Sequence, residues 1–407
     1  MTYEEATGWL FQQLPMFQRT GPAAYKSNLD GTLYVLEKMG RPDLHLDGVI
    51  HVAGTNGKGS VCTAISNALV ETGFRVGLFT SPHLMDFRER LLVCGEMPQK
   101  AWVVDRVKHF QNELPNWSYQ PSFFEWTFGL ALLWFVEEQV DAVVLETGMG
   151  GRLDSTNVFP TPLVTAITNI GLDHQQFLGR DIRSIALEKA GILKDGVPVV
   201  LGRMRPEAQS VILSAALRTG SEVFYADAAR NRGIEEDPNW PENEATTLKV
   251  LEVLSNQPGW REWQAPAKVH PKGLGGRWEW LTPTANGTRI LVDSAHNYDG
   301  VKRLVGAINA IERKRLMVVF GTVGDKELTN IWTLLPSEAE YFFCGAKIPR
   351  AFRAEELCEE AHRFGLKGIA FPSVSAALNG ASAKANSNDL IVVFGSLFVI
   401  AEVLNFD

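Results

Sequence analysis

The chain has 407 residues, more than one compact hydrophobic core usually contains, so two domains are expected. Its composition is that of an ordinary globular protein, and a net charge of -8 argues against a nucleic-acid-binding surface. The four cysteines form no CxxC pair, which excludes a zinc ribbon, and no apolar run suits a signal peptide or a membrane span. We therefore expect a soluble cytoplasmic protein without nucleic-acid or membrane partners.

Strand-like and helix-like segments alternate from about residue 48, an order that favours a parallel sheet with helices on both faces. The strands predicted in this first series are Val49–Ala53, Val76–Thr80, Asp141–Glu146, Leu163–Thr168, Pro198–Leu201 and Val223–Tyr225. The predicted helices are Gly59–Thr72, Lys100–Leu114, Phe123–Gln139, Ile182–Ala190, Glu207–Arg218 and Asn243–Ser255. The acidic, proline-broken stretch 231–241 and the tryptophan-rich stretch 258–283 indicate the edge of the first domain running into a linker.

A second, shorter series of alternating segments begins at residue 289. Its predicted strands are Ile290–Asp293, Leu316–Phe320, Tyr341–Cys344 and Leu390–Phe394, with helices between them. About 120 residues are enough for a small Rossmann-like domain. We therefore predict an α/β fold with two domains. Residues 1–282 would form a parallel-sheet domain, and residues 283–407 a smaller Rossmann-like α/β domain.

The most informative motif is His51–Ser60, H-V-A-G-T-N-G-K-G-S, which lies between a predicted strand and a predicted helix. Glycines allow the tight turn that aims several backbone N–H groups at one anion, and the helix N-terminus adds positive potential. In such a loop Lys58 would reach the outer phosphates of a nucleoside triphosphate, and Ser60 would ligate Mg²⁺. Gly59 separates these two residues, unlike the common phosphate loop, and a glycine turn that binds nothing is the alternative.

Polar side chains follow three further predicted strands, at the positions where open α/β sheets place their ligands. Ser81 has a hydroxyl suited to a Mg²⁺ shell, although an ordinary polar loop is the simpler interpretation. Glu146 ends a buried strand, where a carboxylate suits metal binding, and the glycines after it allow close approach of a substrate. Arg152 suits an anion, and His174 is either a metal ligand or an ordinary core or surface histidine.

The second domain opens on D-S-A-H-N at Asp293–Asn297, directly after a predicted strand. A carboxylate, an imidazole and an amide in one turn suit hydrogen bonding to a ribose or a base, or proton transfer. Arg277, at the predicted domain junction, is placed to reach a phosphate. A Ser/His/Asp hydrolase is disfavoured because the chain has no G-x-S-x-G motif. Lys189, in a predicted helix, indicates by itself only a solvated helix face.

Together these motifs resemble the folylpolyglutamate synthase/dihydrofolate synthase family, a branch of the Mur ligase superfamily. The resemblance runs in order from about residue 20 to the C-terminus. Besides the phosphate loop, the segments that carry it are S-P-H-L and F-R-E-R within 81–90, F-F-E-W-T at 123–127, E-T-G-M-G-G-R-L-D-S-T-N at 146–157, L-D-H at 172–174, E-K-A-G-I at 188–192, D-S-A-H-N at 293–297 and G-S-L-F at 395–398. The chain departs from the family pattern at Ser122 and Ser294, where threonine and glycine are usual.

The resemblance implies an ATP-dependent ligase, in which residues 1–282 form an ATPase domain of the Mur ligase central-domain type with a phosphate-binding loop and residues 283–407 a Rossmann-like ligase domain. ATP would phosphorylate a carboxylate of dihydropteroate or of a reduced folate, and the amine of L-glutamate would attack the acyl phosphate, giving an amide, ADP and phosphate. Mg²⁺, expected at two sites, would offset the charge that accumulates between the anions. A Mur-type ligase acting on a UDP-muramyl substrate is the alternative within the enzyme class, and a nucleotide-dependent switch is the alternative outside it. A monomer is expected.

The same resemblance assigns roles to residues by their positions in the motifs. The triphosphate would be held by Asn56, Gly57, Lys58, Gly59 and Ser60, and other parts of ATP by Asn243, Arg277 and Asp293. The metal ligands would be Ser81, Glu146 and His174, with Lys189 carbamylated to support the second metal. Lys189, Asp293 and His296 would be catalytic, and Phe123, Phe124, Gly151, Arg152 and Asp154 would border the pterin.

Overall fold

The computed structural model describes residues 1–14, 28–227, 237–260, 263–270, 273, 275–324 and 328–405. The chain divides into two compact units, which consist of Met1–Arg230 with Pro241–Leu274 and of Asn231–Trp240 with Gly275–Asp407. Part of the predicted linker, residues 231–236, lies outside the described residues.

The first unit is built on a seven-stranded sheet in the order β3-β2-β4-β1-β5-β6-β7. Its strands are β1 (Val49–Ala53), β2 (Val76–Phe79), β3 (Leu91–Val93), β4 (Ala142–Glu146), β5 (Val164–Ile167), β6 (Val199–Leu201) and β7 (Val223–Tyr225). Neighbouring strands are parallel except β2 and β3, which are antiparallel. Strands β1, β4 and β5 are buried along their whole length, as expected for parallel strands covered on both faces.

Nine helices of the described residues precede the second sheet. They are α1 (Tyr3–Gln13), α2 (Asp30–Lys38), α3 (Lys58–Glu71), α4 (Lys100–Glu113), α5 (Phe123–Glu137), α6 (Gln175–Leu178), α7 (Ile182–Ala190), α8 (Pro206–Thr219) and α9 (Trp240–Ser255). Thr2 and Ser122 start α1 and α5 with a capping box, in which the cap side chain accepts the N–H of a glutamate three residues later and that glutamate accepts the cap's own N–H. Short 3₁₀ turns lie at Pro42–His45, Phe87–Arg90, Leu114–Asn116 and Ser155–Val158.

The second unit has a six-stranded sheet in the order β12-β11-β10-β13-β9-β8. Its strands are β8 (Glu279–Leu281), β9 (Arg289–Asp293), β10 (Leu316–Phe320), β11 (Glu340–Phe343), β12 (Lys367–Ala370) and β13 (Leu390–Phe394). The helices described in it are α10 (Tyr298–Ile308), α11 (Thr329–Trp332), α12 (Ala354–Arg363), α13 (Val374–Lys384) and α14 (Leu397–Leu404). Only β8 runs antiparallel to its neighbour, and the sheet begins a few residues before the predicted division at 282/283.

The predicted α/β fold class is confirmed. The sequence pattern does not predict β3, β8 and β12, which all lie at sheet edges; β12 alternates exposed with half-buried residues, so no buried apolar run marks it. It also does not predict α1 and α2, which precede the first alternating segment. Among the described residues, no helix has both the length and the apolar character that a membrane span requires.

The register of the first sheet brings four loops to one edge. Val52 pairs with Glu146 and Ala53 with Ile167, so the ends of β1, β4 and β5 lie side by side. Phe79 of β2 pairs with Leu145 of β4 and extends this row by one strand. The segments that follow these strands therefore meet at the carboxyl edge of the sheet, where α/β proteins bind their ligands.

Gly202, just after β6, provides a test of how tightly this edge is packed. A Cβ there would overlap the Thr168 carbonyl oxygen, and backbone atoms would have to move. We expect Gly202→Ala to destabilise the protein by about 1–3 kcal/mol in urea-induced unfolding. The matched variant Gly8→Ala, inside α1 and with nothing within 4 Å of its Cβ, should stabilise by about 0.5–1 kcal/mol. Equal effects of the two substitutions would contradict the packing described here.

Candidate active site

The phosphate loop has the backbone that its glycines predict. β1 ends at Ala53, and α3 begins at Lys58. Between them Gly54 has φ +152° and Gly57 has φ +83°, which L side chains rarely adopt. A Cβ at Gly54 would also overlap the Thr168 hydroxyl. The predicted strand, glycine turn and helix are thus present in that order.

Side chains after β5 hold this loop in place. Asn56 and Asn169 bond reciprocally: the Asn56 N–H donates to Asn169 Oδ1 at 2.9 Å, and Asn169 Nδ2 donates to the Asn56 carbonyl at 3.0 Å. The Thr168 hydroxyl donates to the same carbonyl at 2.7 Å. Thr55 and Gly171 also exchange two hydrogen bonds. These hydrogen bonds fix the backbone of the loop from one side.

Two lysine side chains meet at one backbone oxygen, the Gly54 carbonyl. Lys58 donates to it at 3.1 Å and to the Thr55 carbonyl at 3.3 Å, and Lys189 of α7 donates to it at 2.7 Å. Lys189 is 4% exposed, so the prediction of a solvated helix face is wrong. Burial and the charge of Lys58 lower the pKa of Lys189 to about 7. Near neutral pH a large fraction of Lys189 is therefore an uncharged amine.

Asn243 lies beside the phosphate loop. It is buried in α9, and a Cβ placed on Gly57 would overlap its Oδ1 atom. The structure therefore brings Asn243, a predicted ATP contact, to the glycine that starts α3. Its contact with a nucleotide stays a prediction.

Glu146 and Ser81 meet where β4 and β2 end. The Ser81 N–H donates to Glu146 Oε2 at 2.9 Å, and Glu146 is 4% exposed. His174 precedes α6 with φ +51°, and its N–H donates to Asp173 Oδ1. Within the described ranges, no three His, Cys, Asp or Glu side chains are grouped as a ready-made metal site. The structure brings Ser81 to Glu146, and the metal-binding roles of Ser81, Glu146 and His174 stay predictions.

Phe124 and Asp154, two of the predicted pterin contacts, lie together around Gly148. A Cβ on Gly148 would meet the Phe124 ring and lie 3.2 Å from Asp154 Oδ2. The Asp154 carboxylate accepts hydrogen bonds from the Met149 N–H at 2.8 Å and from the Thr156 N–H and hydroxyl at 3.0 and 2.5 Å. Burial raises the pKa of Asp154, and these hydrogen bonds oppose that effect.

The hydrogen-bond network of Asp154 continues into β1. His51 is 2% exposed, and its Nε2 lies 2.8 Å from the Thr156 hydroxyl oxygen. Burial lowers the pKa of His51 to about 3, so the ring is neutral. Because the Thr156 hydroxyl donates to Asp154, the Nε2 atom of His51 carries the ring proton and donates to Thr156.

Gly151 and Arg152 face α7. A Cβ on Gly151 would lie 3.0 Å from the carbonyl oxygens of both Glu188 and Lys189. The Arg152 guanidinium donates to Glu188 Oε1 at 2.8 and 3.2 Å. These residues join the loop after β4 to the helix that carries Lys189, and their contact with a pterin stays a prediction.

Phe123 lies against a buried arginine. The ring centre is 5.2 Å from Cζ of Arg90, whose Nε donates to His83 Nδ1 at 2.7 Å. Burial lowers the pKa of Arg90 to about 10, while Glu146 and Glu89 favour its charged form. Burial and Arg90 lower the pKa of His83 to about 3. At neutral pH the pair is thus a charged guanidinium and a neutral imidazole.

In the second unit, Asp293 ends β9 as predicted. Its carboxylate accepts the Trp278 and Ala295 N–H groups at 2.9 and 2.8 Å. Burial and the neighbouring Asp237 carboxylate raise the pKa of Asp293 to about 6, and Arg277 acts in the opposite direction. The predicted nucleotide contacts Asp293 and Arg277 therefore belong to one charged cluster.

His296 and the loop before α9 complete the description of this cluster. His296 Nδ1 lies 2.8 Å from the Ser294 carbonyl oxygen, so Nδ1 carries a proton and Nε2 is the ring nitrogen that can act as a base. Asp237 Oδ1 accepts the Asn239 N–H at 2.8 Å, and Asn239 Oδ1 accepts Arg303 at 3.3 Å. The basic nitrogen makes His296 suitable for accepting a proton.

Comparison with known proteins identifies the family. Residues 276–397 match the family model described as Mur ligase, glutamate ligase domain. The chain is 31% identical to the Bacillus subtilis protein named dihydrofolate synthase/folylpolyglutamate synthase, over 98% of each chain. An Escherichia coli protein of the same name is 32% identical over 88% of this chain and 86% of its own. The chain belongs to the dihydrofolate synthase/folylpolyglutamate synthase family.

Solved structures agree with this family. A bifunctional folylpolyglutamate synthase/dihydrofolate synthase with Mn, AMPPNP and L-glutamate bound has a TM-score of 0.82 at 26% identity and covers 98% of this chain and 97% of its own. E. coli FolC in complex with DHPP and ADP has a TM-score of 0.81 at 27% identity, with the same coverage. The family consists of ATP-dependent ligases, so the UDP-muramyl ligase and the nucleotide switch are not favoured.

Some residues at these sites are not among the sequence predictions. Asn169 holds the phosphate loop, Arg90 lies against Phe123, and Asp237 affects Asp293. Asn169 and Arg90 stand inside strand-end clusters, so their positions could have indicated a role. Asp237 comes from a separate stretch of chain, and no local pattern relates it to Asp293.

The pKa of Asp293 predicts a pH-dependent effect of Asp293→Asn on stability. Its pKa in the folded state, about 6, is above the ordinary 3.8, so the carboxyl group's contribution to stability is present below 3.8 and is lost as the pH rises through 6. The variant has no such group. Its melting temperature minus that of the wild type should therefore increase over this pH range, measured by thermal unfolding at a series of pH values. Asp105→Asn, which removes an exposed carboxylate, is the control. A difference that does not change with pH would contradict the burial of this charge.

Proposed function

We propose that this protein is an ATP- and Mg²⁺-dependent ligase that adds L-glutamate to dihydropteroate, to the γ-carboxylate of reduced folates, or to both. A carboxylate oxygen of the pterin substrate attacks the γ-phosphorus of ATP, the bond from that phosphorus to the bridging oxygen breaks, and ADP leaves. The nitrogen of L-glutamate then attacks the carbonyl carbon of the acyl phosphate. The carbon–oxygen bond to phosphate breaks, the amine loses a proton, and an amide forms.

The observation that carries this proposal is the convergence of Lys58 and Lys189 on the Gly54 carbonyl, in a chain whose relatives bear the names given above. A phosphate loop alone indicates only that a triphosphate binds. A second, buried amine next to the loop's own lysine adds a group that nucleotide binding does not need. The second amine is consistent with a reaction in which phosphate is transferred and not merely held.

The residues at the strand ends suit Mg²⁺ as the resident metal. Mg²⁺ prefers oxygen ligands, and the Glu146 carboxylate and the Ser81 hydroxyl lie at adjoining strand ends. We assign these two residues, with His174, as its ligands, and Ser60 as a further oxygen donor. When bound, Mg²⁺ supplies neutralisation of the charge that accumulates between the phosphate and the attacking carboxylate.

Lys189 is proposed to be carbamylated. Carbon dioxide adds to an uncharged amine and releases a proton, and the pKa of about 7 leaves Lys189 partly uncharged at neutral pH. The product is an anion, so the repulsion from Lys58 becomes an attraction. It would also stand near Asp173 and Asp154, which already act on Lys189. Three anions in this region support a second Mg²⁺ site.

The remaining assignments follow the motifs of the family. The Asn56–Ser60 loop, Asn243, Arg277 and Asp293 are proposed to contact ATP. His296, with its basic Nε2, is proposed to take the proton of the glutamate amine. The pterin is proposed to bind next to the side chains or backbone of five residues, which are Phe123, Phe124, Gly151, Arg152 and Asp154. Action in the cytoplasm and a monomeric state are part of the same proposal.

Phosphate release tests the function directly. The protein should release phosphate from ATP when L-glutamate is combined with dihydropteroate or with tetrahydrofolate. A UDP-muramyl substrate should give no release. The two pterin substrates, assayed in parallel at steady state, also decide whether one or both synthase activities are present. Absence of release with both pterins would overturn the proposal.

Lys189→Ala tests the carbamate. We expect kcat to fall by about 100-fold while the KM for ATP stays unchanged, because the carbamate serves the metal and not the nucleotide. Short-chain carboxylic acids should restore part of the activity by placing a carboxylate in the space left by the side chain. Lys249→Ala, which removes a lysine from an ion pair with Glu252, is the matched control and should respond to neither change. Full activity of Lys189→Ala without added acid would refute the assignment.

A further inference from the structure

Arg90 is a deeply buried cation among the described residues of the first unit, and the proposed reaction gives its charge no role. It follows the 3₁₀ turn Phe87–Arg90 and is 2% exposed. Its Nε atom donates to His83 Nδ1 at 2.7 Å, and its Cζ atom lies over the Phe123 ring, 5.2 Å from the ring centre. The orientation of the guanidinium is therefore set by the protein before any ligand arrives.

The two Nη groups of Arg90 point to a missing partner. Among the described residues, neither group donates a hydrogen bond or forms an ion pair. Glu146 and Glu89 act on Arg90 only through their charge. Some side-chain donors among the described residues are fully buried and have no partner, but the Arg90 Nη groups are not among them. Both Nη groups therefore reach solvent-accessible space. Burying a guanidinium without an anion costs free energy, and an anionic ligand would offset this cost.

The surroundings of Arg90 indicate which anion it binds. Phe123, on one side, is a proposed pterin contact, and Glu146, whose charge acts on Arg90, is a proposed metal ligand. The substrate group that must lie between a pterin and the metal is the carboxylate that accepts the phosphate. An arginine fork matches the two oxygens of a carboxylate in one plane.

We propose that Arg90 binds the carboxylate of the pterin substrate through its two Nη groups and holds it in place for phosphorylation. This inference rests on the proposed function and adds to it the residue that recognises the acceptor group. His83 is a positioning residue, because it fixes Nε and leaves both Nη groups for the substrate. Phe123, whose ring centre lies 5.2 Å from Cζ of Arg90, would contact both the guanidinium and the pterin.

A purely structural counter-ion for Glu146 would have a different geometry. Arg88, in the same turn, shows it: its guanidinium donates to both carboxylate oxygens of Asp86, at 3.0 and 2.9 Å, and to the Pro98 carbonyl. Arg90 makes no such pair with Glu146 or Glu89, although both carboxylates act on it. The two arginines of this turn thus differ in their contacts. Arg88 stabilises the turn, and Arg90 keeps its Nη donors available for a ligand.

Arg90→Gln tests the proposal through inhibition by two ligands. One is pteroate, which has the carboxylate, and the other is 6-methylpterin, which lacks it. The variant should raise the KM for dihydropteroate and the inhibition constant of pteroate by about 10- to 100-fold, as loss of hydrogen bonds to a charged group predicts. The inhibition constant of 6-methylpterin and the KM for ATP should stay unchanged. Arg90→Lys keeps the charge without the fork and should recover part of the loss.

Arg75→Gln is the matched control. This arginine is paired with Glu138 at the amino end of β2, the opposite end of the strand from Ser81, and its removal should change none of these constants. If the wild type releases no phosphate with any pterin, the proposed function fails and the Arg90 inference fails with it. If the wild type is active and Arg90→Gln weakens both inhibitors equally or neither, only the inference is overturned.

If Arg90→Gln does not fold, the inference can still be tested on the wild-type protein. In metal-free buffer with EDTA, pteroate should bind about 10- to 100-fold more tightly than its carboxamide in equilibrium titration, because only the carboxylate pairs with a guanidinium. Arg90→Lys distinguishes this effect from that of other nearby cations, since it should reduce the difference between the two ligands. Equal binding of pteroate and its carboxamide would overturn the inference.

Discussion

One backbone oxygen, the carbonyl of Gly54, is the point on which the site of the first unit depends. It accepts both Lys58, from the start of α3, and Lys189, from the end of α7. The two helices come from distant parts of the chain, and this shared acceptor brings their cations together. Burial and, after it, the nearby charge of Lys58 lower the pKa of Lys189 to about 7, and this is the cost of placing the second amine there. The chemistry proposed for Lys189 follows from that cost.

The Gly54 carbonyl can accept both lysines because side chains outside the phosphate loop fix the loop backbone. Asn169 and Thr168 fix the Asn56 carbonyl, and Gly54 has no side chain where the Thr168 hydroxyl lies. A triphosphate would compete with the Gly54 and Thr55 carbonyls for Lys58, but it would meet a loop that is already shaped. Side chains of the first unit thus fix the backbone of the phosphate loop, and triphosphate binding would mainly replace the hydrogen-bond partners of Lys58.

The sequence predicts most of the fold and the identity of the phosphate loop, but less of the surroundings of each group. Strand ends such as Glu146 and Asp293 are predictable because a buried apolar run stops at a charged residue. The burial of Lys189 is not, because a helix pattern with a lysine near its end is typical of a solvated face. The influence of Asp237 on Asp293 also escapes local patterns, since it depends on how a separate stretch folds back. For Arg90, the motif could indicate its importance but not its missing partner.

The hydrogen-bonded series from His51 through Thr156 to Asp154 has a consequence for how the protein responds to acidity. Histidine is usually the side chain that changes charge near neutral pH, but burial holds this one in its neutral form down to about pH 3. Its proton therefore stays on Nε2, and the Thr156 hydroxyl keeps pointing at Asp154. A residue type commonly used as a pH sensor acts here as a fixed donor. The hydrogen bonds that reach the Asp154 carboxylate through Thr156 therefore do not depend on a change of charge at His51 near neutral pH.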